Sequence, residues 1–150
     1  MNTTRKTAFN WLLGALLSIS AAIVFAADCK VNDPEINIEY VGDCLNGLAH
    51  GRGKAKGIDI YEGEFKQGNK HGIGTYVWPD GPRYQGSYAE DRRSGFGTMT
   101  IPKSVYSPQK TSGNGGWIGD NYVETGIFLR SNFIFACGSP ETCKQEQSNR

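Results

Sequence analysis

Tyr61, Gly63 and Phe65 alternate with Glu62, Glu64 and Lys66, the period of two that marks a strand with one aromatic and one polar face. Gly68 to Gly72 read as a turn. Gly74, Tyr76 and Trp78 then carry the alternation into a second strand, and Pro79, Asp80, Gly81 and Pro82 supply turn chemistry before the pattern restarts at Tyr84. The unit is a β-hairpin. Beyond the N-terminal leader no stretch shows helical periodicity of useful length, so the expected fold is all-β.

The hairpin recurs along the chain. YVGDCLNGLAHGRG at 40–53 lies over YEGEFKQGNKHGIG at 61–74 without a gap, aligning Tyr40, Gly42, His50, Gly51 and Gly53 with Tyr61, Gly63, His71, Gly72 and Gly74. A third copy, YQGSYAEDRRSGFG at 84–97, keeps Tyr84, Gly86, Gly95 and Gly97 but puts Asp91 at the mid-motif glycine and Ser94 at the histidine. A fourth, WIGDNYVETGIF at 117–128, opens with Trp117 and Gly119, meets Gly126 early and has no second glycine. Glycine fits these positions because it allows positive φ at turns and leaves room for a neighbouring ring over a strand with no side chain there. On this basis the chain divides into an N-terminal segment 27–39, repeats at 40–60, 61–83 and 84–116, a degenerate unit 117–129, and a C-terminal cap and tail 130–150. The third repeat carries an insertion, 102–116, whose Pro, Ser and Gly content predicts a tolerated loop.

Tyr-x-Gly-x-aromatic, a Gly, His-Gly-x-Gly and a later Asp-Gly, repeating every 21 to 23 residues, resembles the MORN repeat over residues 40–128, and residues 61–81 match it almost completely. The resemblance implies hairpins laid side by side in an elongated single-layer antiparallel meander. It also implies a role in assembly, scaffolding or attachment near membranes, and it implies no activity.

The first 26 residues read as an address. Arg5 and Lys6 precede an apolar run, 11–25, that is too short to span a bilayer and ends at small Ala26 and Ala27. A cleaved signal peptide is expected, with a mature start at Ala27 or Asp28; Asp28 beside Cys29 argues against lipidation. Removing Arg5 and Lys6 takes the formal charge from +1 to −1, which calls for neither nucleic acid nor an acidic membrane. Cys29, Cys44, Cys137 and Cys143 all lie in the mature part, an even number that points to two disulfides and an oxidising compartment, periplasmic or extracellular. Three pairings are open; Cys29 with Cys44 and Cys137 with Cys143 are the most local and are favoured. Cys44 aligns with Phe65 and Tyr88, so its bond to Cys29 would draw residues 28–39 over the aromatic face. Phe133, Ile134 and Phe135 could close the far end in the same way.

Candidate chemistry is sparse. His50 and His71 hold equivalent positions two strands apart, about 10 Å, too far to share a zinc ion, and read as turn-stabilising. Glu62 and Glu64 read as a solvated strand face. No nucleophile elbow, zinc-protease motif or phosphate loop occurs. The expected protein is non-catalytic, without cofactor, metal, nucleic acid or small-molecule substrate. Its role is a protein-interaction or envelope-assembly scaffold; a lipid or membrane-surface module is the alternative, and an accessory domain of a cell-wall or glycan-active system comes behind it. The candidate binding face is Phe65, Tyr76, Trp78, Tyr88 and Trp117, of which part must self-pack between repeats.

Overall fold

The computed structural model describes residues 29–149; the leader and the expected mature start at Ala27 or Asp28 lie outside them. Within them, one open antiparallel sheet is built from consecutive hairpins: β1 (Glu39–Leu45) with β2 (Leu48–Lys56), β3 (Ile60–Lys66) with β4 (Asn69–Val77), and β5 (Arg83–Ala89) with β6 (Arg92–Pro102). Beyond β6 come β7 (Gly116–Ile118), β8 (Asn121–Leu129) and β9 (Asn132–Ala136). The first six strands pair in chain order, β8 pairs with β6, and β7 and β9 share the other edge of β8. This is the expected single-layer meander, with one addition at its end.

The register explains the repeat. Gly42, Gly53, Gly63, Gly74, Gly86, Gly97 and Gly126 pair in succession and form one row across seven strands. Beside it runs a second row, Tyr40, Ala55, Tyr61, Tyr76, Tyr84, Met99 and Glu124. Each repeat tyrosine leans across the glycine row, and a Cβ on Gly53 or Gly74 would stand 2.5 Å from the hydroxyl of Tyr40 or from Cε2 of Tyr61. The Tyr61 hydroxyl then donates to the carbonyl of Glu64 at 2.9 Å and to that of His71 at 3.3 Å. Those carbonyls are free because Gly63 pairs with Gly74 while Glu64 pairs with His71, a bulge that leaves Gly72 at φ 55°. The His-Gly-x-Gly motif is therefore a bulge followed by a ring seat.

With no second layer, the rings cover one another. Tyr40, Phe65, Tyr61, Tyr88, Tyr84, Phe128 and Phe133 form an unbroken chain of edge-to-face contacts with centroids 5.0 to 5.3 Å apart. Each such contact contributes ~0.5–1.5 kcal/mol beyond the area it buries. Tyr61 and Tyr84 become fully buried on a one-layer sheet.

Both favoured disulfides are present, Cys29–Cys44 and Cys137–Cys143, with Cα atoms 5.9 and 5.3 Å apart. The first tethers residues 29–38 across the aromatic face of β1 to β4. Asn32 N–H donates to the Gly68 carbonyl, Asp59 N–H to that of Glu35 and Ile38 N–H to that of Lys56, and Val31 and Ile36 join the ring core. At the far end the expectation holds only in part. Phe133 packs on Phe128, but a bulge between Phe133 and Phe135 sends Phe135 to the opposite face, and Ile134 stays exposed. There Phe135 meets Phe96, Ile127 and the second disulfide under a helix that the sequence reading omitted, α1 (Pro140–Ser148). Ser139 caps it, accepting from Thr142 N–H while the Thr142 hydroxyl accepts from Ser139 N–H.

The fourth unit also differs from the expected alignment. Gly126 stands in the glycine row, whereas Gly119 lies in the turn between β7 and β8 at φ 58°. The equivalent of Tyr61, Gly63 and Phe65 is therefore Glu124, Gly126 and Phe128. The insertion 102–116 is built rather than loose: two 3-10 turns, Lys103–Val105 and Pro108–Lys110, bring Tyr106 against Trp117 and Tyr122, and Gly115 N–H donates to the Tyr122 hydroxyl at 2.8 Å.

Candidate binding surface

The turns carry a second periodic arrangement that positions charge. Directly across from Phe65 stands Lys70, and directly across from Tyr88 stands Arg93. Each sits just past a two-residue hairpin turn whose residues both have positive φ. The carbonyl of each accepts the N–H of the next hairpin's turn: Lys70 from Asp91 at 3.1 Å, Arg93 from Ser131 at 2.9 Å. The register thus places two cations on the aromatic face at equivalent points of successive repeats.

Their surroundings differ. The Lys70 side chain is 4% exposed, ion-paired with Asp33 of the covering segment and with Asp91 of the next turn at 3.3 Å, and its ammonium lies 5.3 Å from the Tyr76 ring centre. A buried lysine is tolerated because opposite charges and a ring face replace its water. Beyond it, the buried carboxylate of Asp59 accepts the Tyr76 hydroxyl at 2.5 Å.

Arg93 donates Nη2–H to the Ser131 carbonyl at 2.8 Å and lies 5.5 and 5.3 Å from the ring centres of Tyr84 and Phe128. No carboxylate of the described residues forms an ion pair with it. Burial draws its pKa below the usual guanidinium range, while Tyr88, Tyr84 and Glu124 oppose that shift. Arg93 faces an open cavity of about 660 Å³, bounded by Trp78 and Pro82 on one side, Met99 and Ile101 beneath, the insertion from Val105 to Ser112 at the far end, and Phe128 and Phe133 opposite. Glu124, in the tyrosine row, lies at its floor, 4% exposed, with Oε1 accepting from Ser112 N–H at 2.8 Å and from its hydroxyl at 2.7 Å.

Of the residues singled out from sequence as a binding face, Phe65, Tyr76 and Tyr88 are buried at 3, 6 and 5% exposure by the ring ladder and the covering segment. That part of the face is closed. Trp78 is half-buried at the cavity wall, its ring 4.7 Å from that of Tyr76, and exposed Trp117 flanks Tyr122 at the sheet edge. His50 accepts the Gln67 N–H at 3.5 Å, and the His71 carbonyl accepts from Tyr61. Among the described residues no three His, Cys, Asp or Glu side chains converge as a metal site. Glu62 is a surface group paired with Lys54 at 3.6 Å, but Glu64 caps the bulge by accepting the Ile73 N–H at 3.1 Å, as Asp43 does for Arg52 at 3.0 Å.

Sequence reasoning missed Lys70, Arg93, Asp33 and Glu124. The first two carry a signal, since each is the residue before the His-Gly or Ser-Gly of its repeat. Glu124 becomes visible only once ETGIF, rather than WIGDN, is laid over YEGEF.

The sequence model of the MORN repeat matches residues 40–59, 61–83 and 84–104, the three hairpins β1–β2, β3–β4 and β5–β6. MORN repeat-containing protein 3 of Xenopus laevis is 38% identical over 77 residues, 45% of this chain and 32% of its own length. The ALS2 C-terminal-like proteins of Homo sapiens and Bos taurus are each 41% identical over 44 residues, 29% of this chain. The chain spans about a third of the first relative and 5% of the other two. Because the three matches fall on the hairpins that repeat the ring-over-glycine register, residues 40–104 are three consecutive MORN repeats.

Proposed function

We propose that this chain is an exported, non-catalytic interaction protein that engages a protein partner through the part of its aromatic face left open beside Trp78 and Arg93. MORN repeats are generally non-catalytic units of protein or membrane interaction, so the question is which surface serves here. The observation that carries the reading is the contrast along one face: residues 29–38 cover it over β1 to β4, and a cavity replaces them over β5 to β9. Aromatic rings beside a partly buried arginine are the composition of an interface anchor.

Two features support export: the apolar run 11–25 before small alanines, and two disulfides that use every cysteine. The opposite face favours protein over lipid. It is mixed in charge: Arg52 and Lys54 stand across from Glu64 and Glu62, Lys54 pairs with Glu62, and Lys56 and Lys66 flank them, while the row continues as Thr75, Gln85, Thr98 and Thr125, so no single-sign basic surface favours anionic headgroups.

Affinity capture from the native envelope with the wild-type protein and with Trp78→Ala tests the reading. Specific partners retained by the wild type and lost by a folded Trp78→Ala support it. Partners held equally by both, or sedimentation with anionic vesicles at low salt and without any protein partner, would replace it with another surface or with lipid.

A further inference from the structure

We propose that the Arg93 cavity receives a short acidic segment of the partner, which seats one carboxylate on Arg93 as the chain's own Asp33 is seated on Lys70. This rests on the protein-interaction reading and names the chemistry of its partner. The chain contains its own template. Lys70 and Arg93 are equivalent by register, each opposite a buried ring and each accepting the amide of the following turn. Lys70 is satisfied by two carboxylates, one from the next turn and one from the covering segment. At Arg93 the next turn offers Ser131 in place of Asp91, and no segment lies above it.

A guanidinium carries five donor hydrogens in a planar fork that matches a carboxylate. Rings and one carbonyl take up part of that capacity at Arg93, and Arg93 lines the cavity.

The covering segment also shows the form of a fitting ligand. It anchors through a backbone amide, Asn32 N–H on the Gly68 carbonyl, then turns at Asp33, whose carbonyl accepts the Ile36 N–H at 3.3 Å, so that the acid is followed three positions on by an apolar residue, Ile36, which is fully buried. In the open half Met99, Trp78 and Phe128 offer the corresponding apolar wall. The acids of the cavity set its polarity. Glu124 is held by Ser112 at the far end and Asp80 lies exposed at the rim. A single carboxylate followed by aliphatic residues therefore fits better than a polyacidic run, whose second charge would meet Glu124.

The test uses an N-acetylated, C-amidated peptide with the sequence of residues 31–37 carrying Glu35→Gln, so that Asp33 is its one carboxylate, and the same peptide carrying Asp33→Asn as well, titrated into the isotope-labelled protein and followed by two-dimensional NMR. The acidic peptide is expected to shift the Arg93 Nε–H, the Trp78 indole N–H and the Ser131 and Phe128 amides. The Asn peptide should bind at least about tenfold more weakly, because a charge-assisted pair becomes a neutral contact. The peptide exchange leaves the protein unaltered, so no folding defect can imitate it. Arg93→Lys, which keeps the charge but loses the fork, should weaken the acidic peptide and reduce the difference between the two.

Equal affinity of the two peptides, no binding at millimolar peptide, or shifts confined to Lys70 and Asn32 would overturn the assignment. Those outcomes leave the broader reading intact, because it stands or falls on partner capture and Trp78→Ala.

Discussion

Tyr61 occupies the space that a side chain on Gly74 would need: a Cβ there would stand 2.5 Å from the tyrosine Cε2, inside the contact distance of two carbons. Because Tyr61 is fully buried, edge-on to Phe65 and Tyr88, it cannot move aside without opening the ring ladder. Gly74→Ala should therefore lower stability by ~1–3 kcal/mol in urea unfolding. Gly116→Ala, where nothing lies within 4 Å, should change it by no more than ~0.5 kcal/mol. Equal effects at the two glycines would show that the ring seat does not constrain the sheet.

The turn between β5 and β6 uses Glu90 and Asp91 at φ 50° and 64°, where the two preceding hairpins place Asn46-Gly47 and Gln67-Gly68. Left-handed conformations are unfavourable for Glu, and no hydrogen bond of its side chain compensates at this exposed site. Glu90→Asn should raise stability by ~0.5–1 kcal/mol. Asp91→Gly relaxes the same turn but removes the carboxylate that accepts the Lys70 N–H at 2.8 Å and pairs with its ammonium, so it should be net destabilising. The two melting temperatures should move in opposite directions.

Hairpins, strand faces and disulfide pairing were legible in the sequence because each rests on a local rule: alternation of period two, glycine at turns, and cysteines close in the chain. The buried rings were legible only as a surplus. That they seal one another follows from edge-to-face geometry across three-residue and longer gaps in register, which composition does not encode. The fourth unit was placed on Trp117 and Gly119 because aromatic-x-Gly was the cue, and Glu124 broke that cue where the true register lies. The helix after Ser139 is nine residues with one buried side chain, Cys143; its signal is the Ser-Pro-Glu-Thr cap, not a hydrophobic stripe. The cavity arises from what residues 29–38 do not reach, a matter of tertiary path.

The repeat tyrosines tie stability to alkaline pH. Burial pushes the Tyr84 hydroxyl from 10.0 up to about 12, with Arg93 opposing, and raises Tyr61, Tyr76 and Tyr88 as well. The folded state thus holds its phenolic protons more tightly than the unfolded chain. That contribution is complete below pH 10 and disappears as pH rises through 12. Urea midpoints should be flat to about pH 10 and fall beyond it, with absorbance at 295 nm rising only as the protein unfolds. In Tyr84→Phe the decline should be shallower, and a midpoint independent of pH up to 12 would contradict the buried-phenol account.

Removing the Cys29–Cys44 bond tests the covering segment. Cys44→Ser leaves residues 29–38 held by a few hydrogen bonds, by the Asp33–Lys70 ion pair and by Val31 and Ile36, and should cost ~2–4 kcal/mol. Amides that depend on the segment, Asn32 and Asp59, should exchange with solvent faster, while Tyr84 and Phe128, outside its reach, keep their protection. The exposed rings of Phe65 and Tyr76 should then promote self-association, visible as a concentration-dependent sedimentation coefficient. A Cys44→Ser protein that stays monomeric and unchanged in exchange would mean that packing alone holds the segment.

The charges under that segment are not interchangeable. Lys70 is 4% exposed, whereas the Asp33 and Asp91 side chains that pair with it are 15 and 30% exposed, so only the acids can turn to water if the pair is broken. Asp33→Ala strands a buried ammonium with one carboxylate and one ring face and should cost about 3 kcal/mol, toward the low end for a broken buried pair because Asp91 remains. Lys70→Met fills the same space with an apolar chain beside Tyr76, leaves two acids that hydrate where they are, and should cost less. The double variant should be no less stable than Asp33→Ala alone, since the penalty of the single change is the charge it abandons. Urea unfolding of the two single variants and the double completes the cycle. If Lys70→Met proves the more damaging of the two, then the lysine supplies attraction beyond cancelling its own burial, and Arg93, which pairs with no carboxylate among the described residues, would bind a carboxylate more tightly than its exposure alone implies.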